Sequence, residues 1–177
     1  MGEARTRTDR PVLDRLATAV EPDGMPVLVA AAALGRLSAG SVGATLARGF
    51  SESGLAAPDV LELSHAGAPA PLQVLLEHER FDVRLHRARC LVITAAELDE
   101  RTLAASAAFE LATRARQGGV PAYAIAGRCE VGAFDARMLD LQLVLQARTE
   151  RTLASAARRL SALLRGPASA GSRGTRR

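Results

Sequence analysis

The sequence has no tryptophan, one tyrosine and four phenylalanines, and all 23 of its basic residues are arginine. So few rings argue against a single-strand nucleic-acid platform, which stacks bases on aromatics above a basic groove. Two cysteines, Cys90 and Cys129, are too few for a disulfide framework. They and the three histidines (His65, His78, His86) form no metal-ligand spacing, so no metal site is read from the chain. No apolar run approaches the roughly 20 residues of a membrane span. The polar, basic stretch Met1 to Arg10 has no apolar segment after it of the kind a secretory leader carries. The expectation is a reduced cytoplasmic protein with no membrane partner and with nucleic acid disfavoured.

What is present is one domain's worth of chain: 177 residues, 48% hydrophobic, enough to bury a real core. The formal net charge of +4 sits largely in the ends, at Arg5, Arg7 and Arg10 and again at Arg165, Arg173, Arg176 and Arg177. Residues 1–25 read as a basic flexible N-terminus and 166–177 as a disordered, Arg-rich tail, since small, polar, Pro/Gly-punctuated sequence cannot bury enough apolar surface to fold. Residues 26–165 carry the domain.

Within it, strand and helix signals alternate. Pro26 precedes the apolar run Val27 to Ala30. Ser38 then caps a helix from Ala39 to Phe50, on which Val42, Leu46 and Phe50 recur at helical spacing. Asp59 to Leu63 is a second strand, and Ala66 to Pro71 a Pro/Gly-punctuated loop. A short helix runs from Leu72 to His78. Cys90 to Thr94 is a third strand, continuously apolar as strands covered on both faces tend to be. Leu103 to Gln117 reads as one long helix with Leu103, Ala107, Leu111 and Ala115 inward, stopped at Gly118-Gly119. Ala122 to Ala126 and Leu141 to Leu145 are the fourth and fifth strands, and Thr149 caps a last helix to Leu164.

Five strands alternating with helices predict an α/β fold: a single doubly wound domain with a mainly parallel, Rossmann- or flavodoxin-like sheet. Right-handed crossovers set every strand-to-helix turn on one edge, where such folds bind ligands. The expected turns are Ala31 to Ser38, Ser64 to Ala68, Ala95 to Asp99, Gly127 to Gly132 and Gln146 to Thr149. The first and third of these are rich in alanine, which has neither charge nor the close backbone approach of glycine.

In order along the chain, Val27-Leu28-Val29-Ala30, Gly35, Leu37-Ser38-Ala39, Leu46 to Phe50, Phe81-Asp82, Leu91 to Thr94, Leu98-Asp99, Thr102-Leu103, Gly119-Val120-Pro121 and Ala126-Gly127 resemble the bacterial glycerate kinase family. The resemblance implies a parallel-sheet domain interrupted by a second, inserted domain, an ATP-dependent phosphorylation of glycerate, and ATP with magnesium as cofactor. The departures are specific. Where the family reads like Pro-Asp-Ser-Phe-Lys-Gly-Ser-Leu-Ser-Ala, this chain has Ala31, Ala32, Ala33 and Leu34, and the lysine is missing before Gly35. Where it reads like Gly-Glu-Gly-Arg-Leu-Asp, this chain has Ala95, Ala96, then Glu97 at the arginine position. Between Ala68 and Leu72 the inserted domain is absent.

Phosphoryl transfer is positioning plus electrostatics, so losing cations, carboxylates and a closing lid together removes its means. The expected function is a truncated family domain with impaired or lost kinase activity. The alternative is a non-catalytic module that contacts a partner or binds a small organic acid or nucleotide. Self-association is also expected, through surface bared near the second strand. Asp99 and Thr102 are the catalytic candidates, with helix capping as their other reading. Gly35, Arg36, Ser38, Gly127 and Arg128 are the cofactor-binding candidates, with turn and solvated-surface roles beside them.

Overall fold

A computed structural model of the chain describes residues 24–63, 69–100 and 103–166. Five strands, β1 (Val27–Ala31), β2 (Asp59–Glu62), β3 (Cys90–Leu98), β4 (Ala122–Cys129) and β5 (Leu141–Gln146), form one sheet. Their order is β2-β1-β3-β4-β5, and every pairing is parallel. This is the flavodoxin-like order of a doubly wound α/β domain, whose strand order reverses between β1 and β3.

Among the described residues six α-helices cover the sheet: α1 (Ala39–Glu52), α2 (Pro69–His78), α3 (Phe81–His86), α4 (Ala107–Gln117), α5 (Ala133–Met138) and α6 (Glu150–Leu164). Period-two alternation along β1 sends Val27, Val29 and Ala31 into a core with Val42, Leu46 and Phe50 of α1 and Leu153, Ala157 and Leu160 of α6. Leu28 and Ala30 enter the opposite core, with Leu76 of α2, Phe81 and Leu85 of α3 and Leu111 and Ala115 of α4. The caps were legible: the Ser38 hydroxyl accepts from the Ser41 amide at 3.2 Å, and that of Thr149 from the Thr152 amide at 3.3 Å. α1 and α6 touch at Gly49, where a Cβ would lie 2.7 Å from that of Ala157.

The structure corrects several boundaries. Pro69 to Pro71, expected in a loop, open α2, because proline at a helix start gives up only an N–H that lacks a helical partner. The expected helix from Leu103 is a 3-10 turn, Leu103–Ala105, then α4. Ser106 breaks it: its hydroxyl donates to the Leu103 carbonyl at 2.7 Å and accepts from the Phe109 amide at 3.1 Å. Two short helices, α3 and α5, were not expected. Residues 63–68 alone link β2 to α2, leaving no inserted domain between them.

The outer edge of β2 is held by one arginine. Arg84 of α3 grips both carboxylate oxygens of Asp59, at 2.6 and 2.9 Å, and its Nη2 also donates to the Val60 carbonyl at 2.9 Å. Glu79 adds a contact at 3.2 Å.

Candidate functional site at the strand tips

The switch point between β1 and β3 is where a ligand of this fold would enter. Here a side chain bridges it. The Thr94 hydroxyl of β3 accepts from the Ala32 amide at 2.7 Å and donates to the Ala32 carbonyl at 3.0 Å. Thr94 is buried, and the residues beside it are Ala31, Ala32, Ala95 and Ala96.

Beyond Ala32 the chain makes a two-residue turn at Gly35-Arg36. Leu34 and Leu37 exchange backbone hydrogen bonds at 3.0 and 2.9 Å, and Gly35 has φ 58, a conformation in which a side chain is strained. Leu34 is fully buried and anchors this turn. Arg36 is exposed and has no hydrogen bond or ion pair among the described residues, and Ser38 is spent on its cap.

Gly127 and Arg128, expected in a turn, lie instead in β4, and Ala95 to Leu98, also expected in a turn, continue β3. The reason is pairing: the β3–β4 ladder runs on to Leu98 opposite Cys129, and Leu98 is 1% exposed. A Cβ at Gly127 would stand 2.6 Å from the Ala96 carbonyl oxygen, so glycine there lets the two strands close up.

The extension brings together charges that are far apart in sequence. Glu97 and Arg128 are register partners, and the Arg128 guanidinium donates to Glu97 Oε1 through Nε at 2.8 Å and through Nη2. Glu130 lies 3.4 Å from the same guanidinium. The hydrogen bond to Glu97, then the Glu130 charge, raise the Arg128 pKa further, which only reinforces a charge it always carries. Carboxylate oxygens of Glu97, Asp99 and Glu130 all fall within 4.8 Å of one another. Asp99 is buried, with an interaction of its own. Arg148, after β5, donates from Nε to the Gly127 carbonyl at 2.8 Å, and its own carbonyl faces Gly35.

Of the candidates, Asp99 and Arg128 therefore meet in one cluster. Gly35, Arg36 and Ser38 lie in the β1–α1 connection, where Gly35 meets the Arg148 carbonyl, and Thr102 lies outside the described residues. Sequence reading missed Thr94, Glu97, Glu130 and Arg148. It read the turns after the first and third strands as rich in alanine; Ala95 and Ala96 lie in β3, which runs on past them to Glu97. Clefts elsewhere among the described residues include one of about 420 Å3 between α3 and α4 and one of about 310 Å3 at the start of β4 and β5. In the first, Arg114 is already paired with Glu110 at 2.7 Å and Asp82 at 2.9 Å.

This is a doubly wound α/β domain with a Thr94–Ala32 bridge at its switch point and a charge cluster one strand further along. Residues 21–170 match the model of the Glycerate kinase family, and the chain belongs to that family. No curated protein matches it. ATP and magnesium, which the family implies, meet an uneven fit. Three carboxylates are the hard oxygen donors magnesium takes, but Arg128 already occupies two of them. At the β1–β3 junction the Thr94 hydroxyl is committed to Ala32 and its neighbours are methyls. Among the described residues that junction does not fit a triphosphate.

Proposed function

We propose that this chain is a shortened glycerate kinase-family domain whose phosphotransfer is impaired or lost. The observation that supports the reading most directly is the Thr94 bridge to Ala32, which spends a hydroxyl at the switch point on the protein's own backbone. Transfer of a phosphoryl group requires cations across the phosphates, a metal held by carboxylates and a base for the attacking hydroxyl. Removing one aimed donor lowers rates by roughly 10²–10³-fold, and here several are replaced by alanine. Calorimetric titration with ATP–magnesium and glycerate, beside a coupled turnover assay, tests this. The expected result is no turnover above background; ordinary saturable turnover overturns the reading.

A second reading, a non-catalytic module that binds a small molecule, draws on the Glu97–Arg128–Glu130 cluster, which offers both charge signs at one place. Titration with small hydroxy acids and nucleotides separates the two. Heat that disappears in Arg128→Ala, without turnover, favours the second.

A further inference from the structure

The two outer strands of the sheet are finished differently. In β2 the Leu63 amide donates inward to the Ala31 carbonyl at 2.7 Å, so by alternation Val60 presents its N–H and C=O outward. That outward carbonyl is the one Arg84 covers. In β5 the Ala147 amide donates inward to the Ala126 carbonyl at 2.9 Å, so Val144 and Gln146 present theirs outward. Among the described residues nothing pairs with them. The strand Leu-Gln-Leu-Val-Leu-Gln has no charge and no proline, the usual guards of an open edge. Beside it, α5 packs on β5 and leaves Phe134 73% and Met138 61% exposed, four residues apart and so on one side of the helix.

We propose that this edge pairs with the same edge of a second copy, antiparallel about a two-fold axis at Val144, joining two five-stranded sheets into one. Charge complementarity selects that centre. It sets Val144 against Val144 and Gln146 against Gln142 of the partner subunit, and just past the strand ends brings exposed Asp140 of each copy toward exposed Arg148 of the other, whose Nε also donates to its own Gly127 carbonyl. Moving the centre to Leu145 sets Asp140 against Glu150, and moving it to Leu143 sets Asp140 against Gln146. A two-fold axis normal to the sheet keeps both α5 helices on one face, so Phe134 and Met138 of the two copies cover each other. Such an isologous contact closes at two subunits.

Sedimentation equilibrium on the full 177-residue chain tests this. The expected state is a reversible dimer. Gln146→Lys, at an exposed side chain, keeps the circular dichroism of the wild type and weakens dimerisation at least about tenfold through like-charge repulsion at the edge. Phe134→Ser with Met138→Ser weakens it as well. Asp140→Arg weakens it several-fold, and adding Arg148→Asp restores it. A strict monomer, an open polymer, or a dimer unmoved by Gln146→Lys overturns the proposal. Failure of the charge exchange to rescue overturns the register centred on Val144.

Discussion

The Thr94 hydroxyl and the Ala32 backbone hold each other from both sides, with the amide donating at 2.7 Å and the carbonyl accepting at 3.0 Å. One side chain thereby satisfies two main-chain groups at the point where the strand order reverses. Thr94→Val keeps the shape and removes both bonds, leaving polar groups without partners at a half-buried position. A loss of about 1–3 kcal/mol is expected, read as a lower urea midpoint with an unchanged slope. Thr94→Ser should retain most of the stability; equal losses in both variants would show that the methyl, not the hydroxyl, matters.

Gly49→Ala is expected to destabilise even though alanine is the better helix former by about 1 kcal/mol. The added methyl would stand 2.7 Å from Ala157 Cβ, forcing α1 and α6 apart at about 1–3 kcal/mol. Thermal unfolding of Gly49→Ala with Ala157→Gly should recover part of the loss, because the second change reopens the contact.

Arg84→Lys tests the clamp on β2. Lysine keeps the charge and loses the fork that meets both Asp59 oxygens and the Val60 carbonyl. At a side chain 20% exposed, a loss of about 1–2 kcal/mol is expected by urea unfolding. Wild-type stability in this variant would mean the charge alone suffices.

Cys90 predicts an alkaline slope. Burial pushes its thiol from an ordinary value near 9 up to about 12. The folded value lies above the unfolded one, so this contribution is fully present below about pH 9 and is lost as pH rises toward 12. The loss reaches about 4 kcal/mol over that window. Urea midpoints measured between pH 8 and 11 should fall for the wild type and fall less for Cys90→Ala. Tyr123, whose pKa is also raised by burial, leaves a residual slope.

The fold was readable because its signals are local. Apolar runs at Val27 to Ala30 and Cys90 to Thr94, and the caps Ser38 and Thr149, each state their own structure within a few residues. The charge cluster was not readable, because Glu97 meets Arg128 through a strand register that no local pattern encodes. Past Thr94 the third strand turns polar, which reads as a turn, yet pairing with β4 carries it on to Leu98. α3 and α5 escaped notice because six residues give fewer than two turns of helical period. Arg148 and Glu130 follow strands with no motif around them, and only the sheet brings them to the same tips.

The contact of α1 with α6 at Gly49 and Ala157 also governs how the protein is made. Val42, Leu46 and Phe50 emerge early from the ribosome, but Leu153, Ala157 and Leu160, which cover them, are synthesised roughly a hundred residues later. At elongation speeds of about 5–20 residues per second, that face waits several seconds or more for its cover. Until then the apolar stripe of α1 has only the rest of the unfinished chain to pack on.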